Sequence, residues 1–242
     1  MSILLQIALL ISAVVVGGII VDLLSSFNQK KIIKILLAFS GGFLLAIAFV
    51  HFLPELYHDY SEKIGIYVLL GFLIQLFLEY FSGGIEHGHV HHHSKHKFPW
   101  VLFISLSIHS LIEGIPLSSP SEMQHVGHDH GSGLSLLMGI LFHQVPVAIA
   151  LMTLLKQTEY TKMKAWLILL AFGIMTPMGL ILGYFTQGNI DFINMNYLLA
   201  IVMGMFLHIS TTIIFETSEN HKFNLMKLTS ILFGVVLALF LN

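Results

Sequence analysis

The chain has 242 residues, of which 56% are hydrophobic and only 10% are charged, with a formal net charge of −2 and a mean hydropathy of +0.86. A soluble domain carries about 25% charged residues, so this composition excludes an ordinary water-soluble domain. It predicts a polytopic membrane protein, with the lipid bilayer as a partner and no nucleic acid. Cysteine is absent, which excludes disulfides, thiolate metal sites and thiol redox motifs.

Membrane-spanning segments recur along the whole chain. A helix needs about 20 apolar residues to cross the hydrocarbon core of a bilayer, and eight segments qualify. They are residues 3–22, 32–54, 63–81, 98–117, 134–155, 164–186, 195–216 and 223–241. The third is the weakest, because Gln75 and Glu79 interrupt it. Since the connections are short, we predict an all-α integral membrane protein with eight transmembrane helices in one compact bundle, a single domain over residues 1–242.

Lysine placement predicts the orientation. The sequence has no arginine, and of its 11 lysines only Lys63 borders an even-numbered connection, whereas the others lie in or beside odd-numbered ones. The positive-inside rule puts the odd-numbered connections in the cytoplasm. We therefore expect both termini outside the cell and a histidine-rich stretch, residues 86–97, in the cytoplasm.

The fourth and fifth spans carry polar side chains at mid-membrane depth. His109 and Glu113, in HSLIEGIP, share one helix face, and GILFHQVP contains His143 and Gln144. A carboxylate at the bilayer centre costs roughly 3 kcal/mol, so these groups need a partner. If the two spans pack as antiparallel neighbours, the side chains converge into a ligand set that suits zinc, iron, manganese or cobalt. The alternative is a metal-free histidine–carboxylate pair that stabilises helix packing.

Prolines lie within three predicted helices, at Pro116, Pro146 and Pro177. A proline inside a helix removes a hydrogen bond and frees a carbonyl group. Broken helices at membrane depth line protein or a polar cavity, and Pro146 lies three residues after His143. This arrangement is typical of a transport site near the middle of the membrane.

Two further groups repeat the pattern. His51 and Glu55 are one turn apart near the outer end of the second span, and His208, Thr212 and Glu216 share one face of the seventh. They predict an entrance and an exit for the central site. The alternative for Glu55 and Glu216 is a carboxylate that faces lipid headgroups.

Histidines also cluster in two connections, where such tracts bind metal loosely. The predicted cytoplasmic cluster is His87, His89, His91, His92, His93 and His96, and the outer cluster is His125, His128 and His130. We expect these loops to capture metal.

These motifs resemble those of the Zrt/Irt-like (ZIP) divalent metal transporters. HSLIEGIP resembles the fourth-helix motif of that family, and residues 40–55, 176–183 and 204–216 resemble its second, sixth and seventh helices. Eight helices, outward termini and a histidine-rich loop before the fourth helix also match. The resemblance implies transport of divalent cations into the cytoplasm, with the metal as substrate and no cofactor.

The resemblance also implies a ligand set. Its members are His109, Ser110, Glu113, His143 and Gln144. The family often has a second carboxylate one turn after this histidine, and here that position is Val147. With neutral imidazoles, a divalent ion and Glu113 leave one uncompensated positive charge, so we expect a single, partly hydrated metal.

The main alternative function is an intramembrane zinc-dependent hydrolase, since Ser110, His109 and His143 could surround a catalytic zinc. No HExxH motif is present, however, and a cation-efflux carrier would need a cytoplasmic domain for which the chain has no room. We therefore expect a transporter and not an enzyme, in the plasma (inner) membrane of a bacterium. The GxxxG motif of Gly179 and Gly183 fits an internal packing face or a homodimer contact equally well.

Overall fold

The computed structural model describes residues 1–23, 29–59, 63–82, 98–118, 132–186, 194–216 and 225–240, and the regular elements in these ranges are all helices. The α-helices are α1 (Ile3–Leu23), α2 (Gln29–Ile47), α3 (Leu53–Asp59), α4 (Ile64–Ser82), α5 (Trp100–Gly114), α6 (Ser132–Lys156), α7 (Lys162–Gly173), α8 (Met175–Thr186), α9 (Met195–Glu216) and α10 (Leu225–Phe240). The predicted all-α class is confirmed.

Seven helical segments in the described ranges are long and apolar enough to cross a membrane, and they correspond to the first seven predicted spans. The eighth, residues 223–241, is represented by α10. Its 16 described residues rise about 24 Å, which is less than the roughly 30 Å of hydrocarbon core. The chain is therefore a multi-pass membrane protein in which length supports seven of the eight predicted spans.

The second span extends beyond its predicted end. α2 continues without a break into a π-helical turn, Ala48–Phe52, and then into α3. Pro54 explains the wide turn, because its nitrogen cannot donate and its ring clashes with the carbonyl four residues earlier. The N–H of Leu53 bonds instead to the carbonyl of Ala48, five residues back. The widened turn contains His51.

Prolines have different effects in the fourth and fifth spans. α5 ends at Gly114 and continues as one 3-10 turn, Ile115–Ser118, which contains Pro116. α6, in contrast, continues through Pro146. The fourth span therefore changes helix type directly after the predicted ligands, whereas the fifth remains one α-helix.

The sixth span is two helices rather than one. The chain interrupts the helix at Ile174, between α7 and α8. Pro177 lies three residues later, and its ring clashes with a helical carbonyl at Gly173.

Close contacts between glycines and backbone fix three helix pairs. α2 packs on α10, α4 on α9, and α5 on α8. At the α5–α8 contact, a Cβ atom added to Gly114, Gly179 or Gly183 would collide with a backbone carbonyl oxygen on the facing segment. The GxxxG motif of the sixth span is therefore a packing face inside the bundle.

Asp22 joins three helix ends on one side of the bundle. Its carboxylate lies 2.6 Å from Nζ of Lys156, at the end of α6, and 2.9 Å from Nζ of Lys162, at the start of α7. It also accepts a 3.1 Å hydrogen bond from Nε1 of Trp166. The first and fifth connections thus lie at the same end, a relative position that the predicted orientation requires.

Buried apolar side chains form two clusters. The first contains Val21, Phe98 and Leu155, which lie beside odd-numbered connections. The second contains Phe52 and Leu117, which lie beside even-numbered ones. The core is therefore divided along the length of the bundle.

The division falls at the predicted ligands. On α5, Leu106 belongs to the first cluster and Leu117, just beyond the helix, to the second. On α6, Val147 belongs to the first and Ile140 to the second. The polar residues between these positions therefore lie between the two apolar clusters along the length of the bundle.

Candidate metal centre

Three buried side chains from α5 and α6 converge between the two apolar clusters. One ligand atom from each of His109, Glu113 and His143 lies within 4.8 Å of the other two. Their exposed fractions are 1%, 3% and 2%, and the two imidazole rings are 6.0 Å apart at an interplanar angle of 78°. The structure thus brings together three of the five ligands expected from the sequence, which we call the HEH cluster.

Helical spacing sets the contact within α5. Nε2 of His109 lies 2.9 Å from Oε1 of Glu113, one turn away. Within the described part of the chain, this carboxylate oxygen has no partner in hydrogen-bond geometry. A buried carboxylate oxygen without a hydrogen bond is unfavourable. A cation between the carboxylate and the imidazoles would satisfy it.

Gln144 follows His143 on α6, and its side chain is held by a residue of α8. Its Nε2 donates a 3.0 Å hydrogen bond to Oγ1 of Thr176, which lies just after the break at Ile174. Its buried Oε1 has no hydrogen-bond partner among the residues that the structure describes. The residue after the break in the sixth span therefore holds the amide nitrogen, which leaves the carbonyl oxygen available as an acceptor.

Gln75 of α4 is a neighbour of the cluster that the sequence analysis missed as a site residue. Its Oε1 lies 2.8 Å from Nδ1 of His109, and its side chain is fully buried. The available signal is the cost of a buried amide in an apolar helix, which in the sequence also makes the third span the weakest. α4 packs beside α5, and this packing brings Gln75 to the ring.

Glu79, the acidic residue of α4, has a partner on α9. Its Oε2 contacts Nε2 of His208, and Phe72 packs edge-on against the same imidazole with ring centroids 4.7 Å apart. Thr212 donates a 2.9 Å hydrogen bond to the backbone carbonyl of His208. Of the predicted exit residues, His208 therefore turns its ring to α4, while the Thr212 hydroxyl bonds its own helix.

The remaining predicted site residues are more scattered. Ser110 is buried on α5, His51 is partly buried in the π-helical turn, and Glu55 is partly buried in α3. Glu216 is the last residue of α9. The predicted loop histidines lie outside the described residues: His87, His89, His91, His92, His93, His96, His125, His128 and His130.

The two helices that carry the HEH cluster have their main packing partners on other helices. α5 packs against α8 and α4, whereas α6 packs against α1 and α2. The fourth and fifth spans therefore meet through the side chains of the HEH cluster and at the 3-10 turn, Ile115–Ser118, which contacts α6. Small residues decide the outcome, since Gly114 and Gly179 let α5 approach α8 instead.

Val147 lies one turn beyond His143 and is 2% exposed. It belongs to the apolar cluster beside the odd-numbered connections. The position expected for a second carboxylate is thus part of the apolar cluster that lies on that side of the HEH cluster.

The donor set can hold a divalent first-row metal. Two imidazoles, one carboxylate and one amide oxygen are nitrogen and oxygen ligands of the kind that zinc, iron, manganese and cobalt accept. Zinc bonds of about 2.1 Å place tetrahedral ligand atoms about 3.4 Å from one another. The 4.8 Å limit of the HEH cluster is wider, so an ion held there would draw the side chains together or keep water ligands.

Comparison with known proteins gives a consistent result. A family model described as "ZIP Zinc transporter" matches residues 2–99 and 97–242. Protein zntD of Dictyostelium discoideum is 28% identical over 156 residues, which cover 58% of this chain and 22% of zntD. An uncharacterized protein of Methanocaldococcus jannaschii is 26% identical over 207 residues, which cover 82% of each chain. The match therefore spans less than a quarter of the first relative's length and most of the second's.

Proposed function

Because the chain belongs to the ZIP zinc transporter family, we propose that it transports divalent metal cations across the membrane into the cytoplasm. Zinc is the first candidate, with iron, manganese and cobalt as alternatives. The family is one of transporters and not of enzymes, which sets aside the intramembrane hydrolase. The metal is the substrate, and no separate cofactor takes part.

The HEH cluster is the central binding site of this proposal. Its support is the convergence of His109, Glu113 and His143 within 4.8 Å at full burial. Such groups are costly inside a membrane unless they are paired or bind an ion. Gln144 adds a carbonyl oxygen, and Ser110 remains a candidate ligand by its place in the motif.

Charge favours one partly hydrated ion. Glu113 is the single carboxylate of the described cluster, so a bound divalent cation keeps one uncompensated positive charge. Val147, at the position of a second carboxylate, lies among apolar side chains. A partly compensated ion is held less tightly, and a transporter must release its substrate as well as bind it.

The route runs from the even-numbered to the odd-numbered connections. His51 and Glu55 form the entrance, and His208, Thr212 and Glu216 form the exit, with the histidine-rich loops as sites of metal capture. With both termini outside, this direction is inward. The bacterial plasma membrane and a homodimer complete the proposal.

Metal uptake into proteoliposomes tests the function. Purified protein is reconstituted, and the entry of radiolabelled zinc is measured alone and against an excess of iron(II), manganese(II) or cobalt(II). We expect saturable entry that requires the protein, and the order of competition gives the metal preference.

A matched variant separates binding at the cluster from nonspecific leakage. Ser40 is buried on α2 and bonds its own helix backbone, so Ser40→Ala should transport normally, whereas His109→Ala should not. Equal, unsaturable zinc entry with and without the protein would remove transport as the function.

A further inference from the structure

Gln75 reaches the HEH cluster from α4, which contributes none of its ligands. Its Oε1 lies 2.8 Å from Nδ1 of His109. The side chain is fully buried, and among the described residues its amide nitrogen has no hydrogen-bond partner. A buried amide with an unsatisfied N–H group is unfavourable compared with an apolar side chain of the same shape. Packing alone therefore does not explain glutamine here, whereas a use for its oxygen does.

The oxygen determines which nitrogen of His109 carries the proton. A neutral imidazole has one N–H donor and one lone-pair nitrogen. Because a carbonyl oxygen only accepts, its contact with Nδ1 requires the proton at Nδ1. The lone pair is then at Nε2, the atom 2.9 Å from Glu113. Of the two contacts of this ring, the one between Nδ1 and Gln75 has hydrogen-bond geometry, whereas the contact between Nε2 and Glu113 does not.

We propose that Gln75 is a positioning residue, which holds His109 with its proton on Nδ1 and its Nε2 lone pair directed at the transported metal. The inference rests on the proposed function, because it concerns the same cluster. Metal-binding histidines generally donate their second ring N–H to a neighbouring acceptor, and loss of that acceptor weakens binding. Here the acceptor comes from a different helix from those that carry the ligands.

The amide could also face the ring in the opposite orientation. Its nitrogen would then donate to Nδ1, and the proton of the ring would move to Nε2, where it blocks metal binding. A carboxylate cannot do this, because it has acceptor atoms only. When ionised, Gln75→Glu therefore only accepts from Nδ1 and favours the metal-binding arrangement, whereas Gln75→Met keeps the length of the side chain but removes the acceptor.

A purely structural role would be to attach α4 to α5, and the chain offers a matched control for it. Ser105 of α5 donates a 2.5 Å hydrogen bond to the backbone carbonyl of Leu78 on α4. Ser105 is 3% exposed and precedes His109 by about one turn. Ser105→Ala removes a buried bond between the same two helices without touching the imidazole.

Equilibrium zinc titration of the purified variants is the first measurement. We expect Gln75→Met to bind zinc about 10–100-fold more weakly, Ser105→Ala to bind like the wild type, and Gln75→Glu to bind at least as tightly. Wild-type affinity in a folded Gln75→Met variant would overturn the proposal. So would an equal loss in Ser105→Ala, which would make the effect one of helix packing.

The protonated nitrogen can be observed directly by NMR. Protein labelled with 15N at histidine is prepared without metal at pH 8, and the His109 signals are identified by their loss in His109→Asn. We expect protonated Nδ1 in the wild type and in Gln75→Glu, and a shift of the proton towards Nε2 in Gln75→Met. A wild-type ring protonated at Nε2 would overturn the proposal even if Gln75→Met failed to fold.

The central site and the role of Gln75 can be tested separately. If His109→Ala abolishes zinc binding while Gln75→Met does not weaken it, the site stands and the role of Gln75 falls. If His109→Ala leaves zinc binding unchanged, the proposed central site itself is wrong.

Discussion

Glu79 of α4 and His208 of α9 form a hydrogen-bonded pair across 129 residues of sequence, with the carboxylate Oε2 against the imidazole Nε2. The pair lies on the α4–α9 contact, where Gly71 and Gly204 bring the two helix backbones together. A close backbone contact leaves the two side chains little freedom to separate. The pair therefore joins α9 to the helix that also carries Gln75.

We expect the Glu79–His208 pair to stabilise the bundle and to serve metal exit. Glu79→Met or His208→Leu alone should lower the free energy of unfolding by roughly 2 kcal/mol, because the remaining polar group loses its buried partner. The double variant should recover most of this loss, because two apolar residues that pack together leave no buried polar group without a partner. Thermal unfolding of the detergent-solubilised proteins measures the effect.

Uptake by the same double variant tests the exit role. If His208 is a metal ligand on the route, a stably folded double variant should transport zinc more slowly than the wild type. Wild-type uptake by that variant would place His208 outside the route and leave the pair a structural role only.

The HEH cluster should be essential for flux but not for folding. We expect His109→Ala and Glu113→Ala each to abolish metal uptake, because each removes one of three converging ligands. Glu113→Gln is the matched change, since it keeps the shape and removes the charge. Uptake at matched protein levels is the measurement, with circular dichroism as the control for folding, and normal transport would leave these residues as a packing pair.

Thr176 should act through the amide of Gln144. Thr176→Val preserves the shape but removes the oxygen that accepts from Nε2 of Gln144, so the amide loses its anchor and its carbonyl oxygen is no longer held in place. We expect the apparent zinc affinity in uptake to fall by roughly tenfold, in the range typical of groups that orient ligands. Gln144→Leu should cost at least as much, and a larger effect of Thr176→Val than of Gln144→Leu would contradict this order.

A carboxylate at position 147 should strengthen metal binding. Val147→Glu would bring the charge of the occupied site to zero, and two charges about 4 Å apart attract by roughly 4 kcal/mol at an effective dielectric constant of 20, before the cost of burying the new group. We expect tighter zinc binding, slower release and a less stable metal-free protein, because Val147 lies among apolar side chains.

Val147→Gln is the control for this change, since it has the same shape without the charge. Metal titration and uptake of both variants measure affinity, stoichiometry and release. If both variants fold and bind zinc alike, position 147 does not face the metal.

The histidine-rich stretch should tune transport without forming its central site. We expect deletion of residues 87–96 to change the apparent affinity for zinc or its regulation while uptake at saturating zinc persists. The reason is that the HEH cluster on α5 and α6 remains intact. Complete loss of uptake in a folded deletion variant would assign this stretch an essential step.

Much of the architecture follows from local properties of the sequence. Hydropathy predicts the first seven spans to within a few residues at most of their ends, because transfer into lipid depends on composition along about 20 residues. The differences lie near prolines: the second span continues through a π-helical turn that precedes Pro54, and the sixth is divided three residues before Pro177. The sequence contains both prolines, but it does not show whether a helix bends, widens or stops at a proline.

The cost of a polar group in lipid also identifies the candidate ligands without any structure. That argument selected His109, Glu113 and His143, which the structure brings together. Gln75 and Glu79 carry the same cost, yet their partners are side chains on two other helices, α5 for Gln75 and α9 for Glu79. A sequence shows which polar groups need partners, and it does not show which helix supplies them.

Only the tertiary structure determined which helices are adjacent. The surfaces of these helices are apolar on most sides, so hydrophobicity does not select one neighbour over another inside a membrane. Shape does, and the contacts of Gly114 and Gly179 pair α5 with α8 rather than with α6. The sequence thus determined the spans and the chemistry of the site, while side-chain size at the helix contacts, summed over the bundle, decided the neighbours and the distance between the ligands.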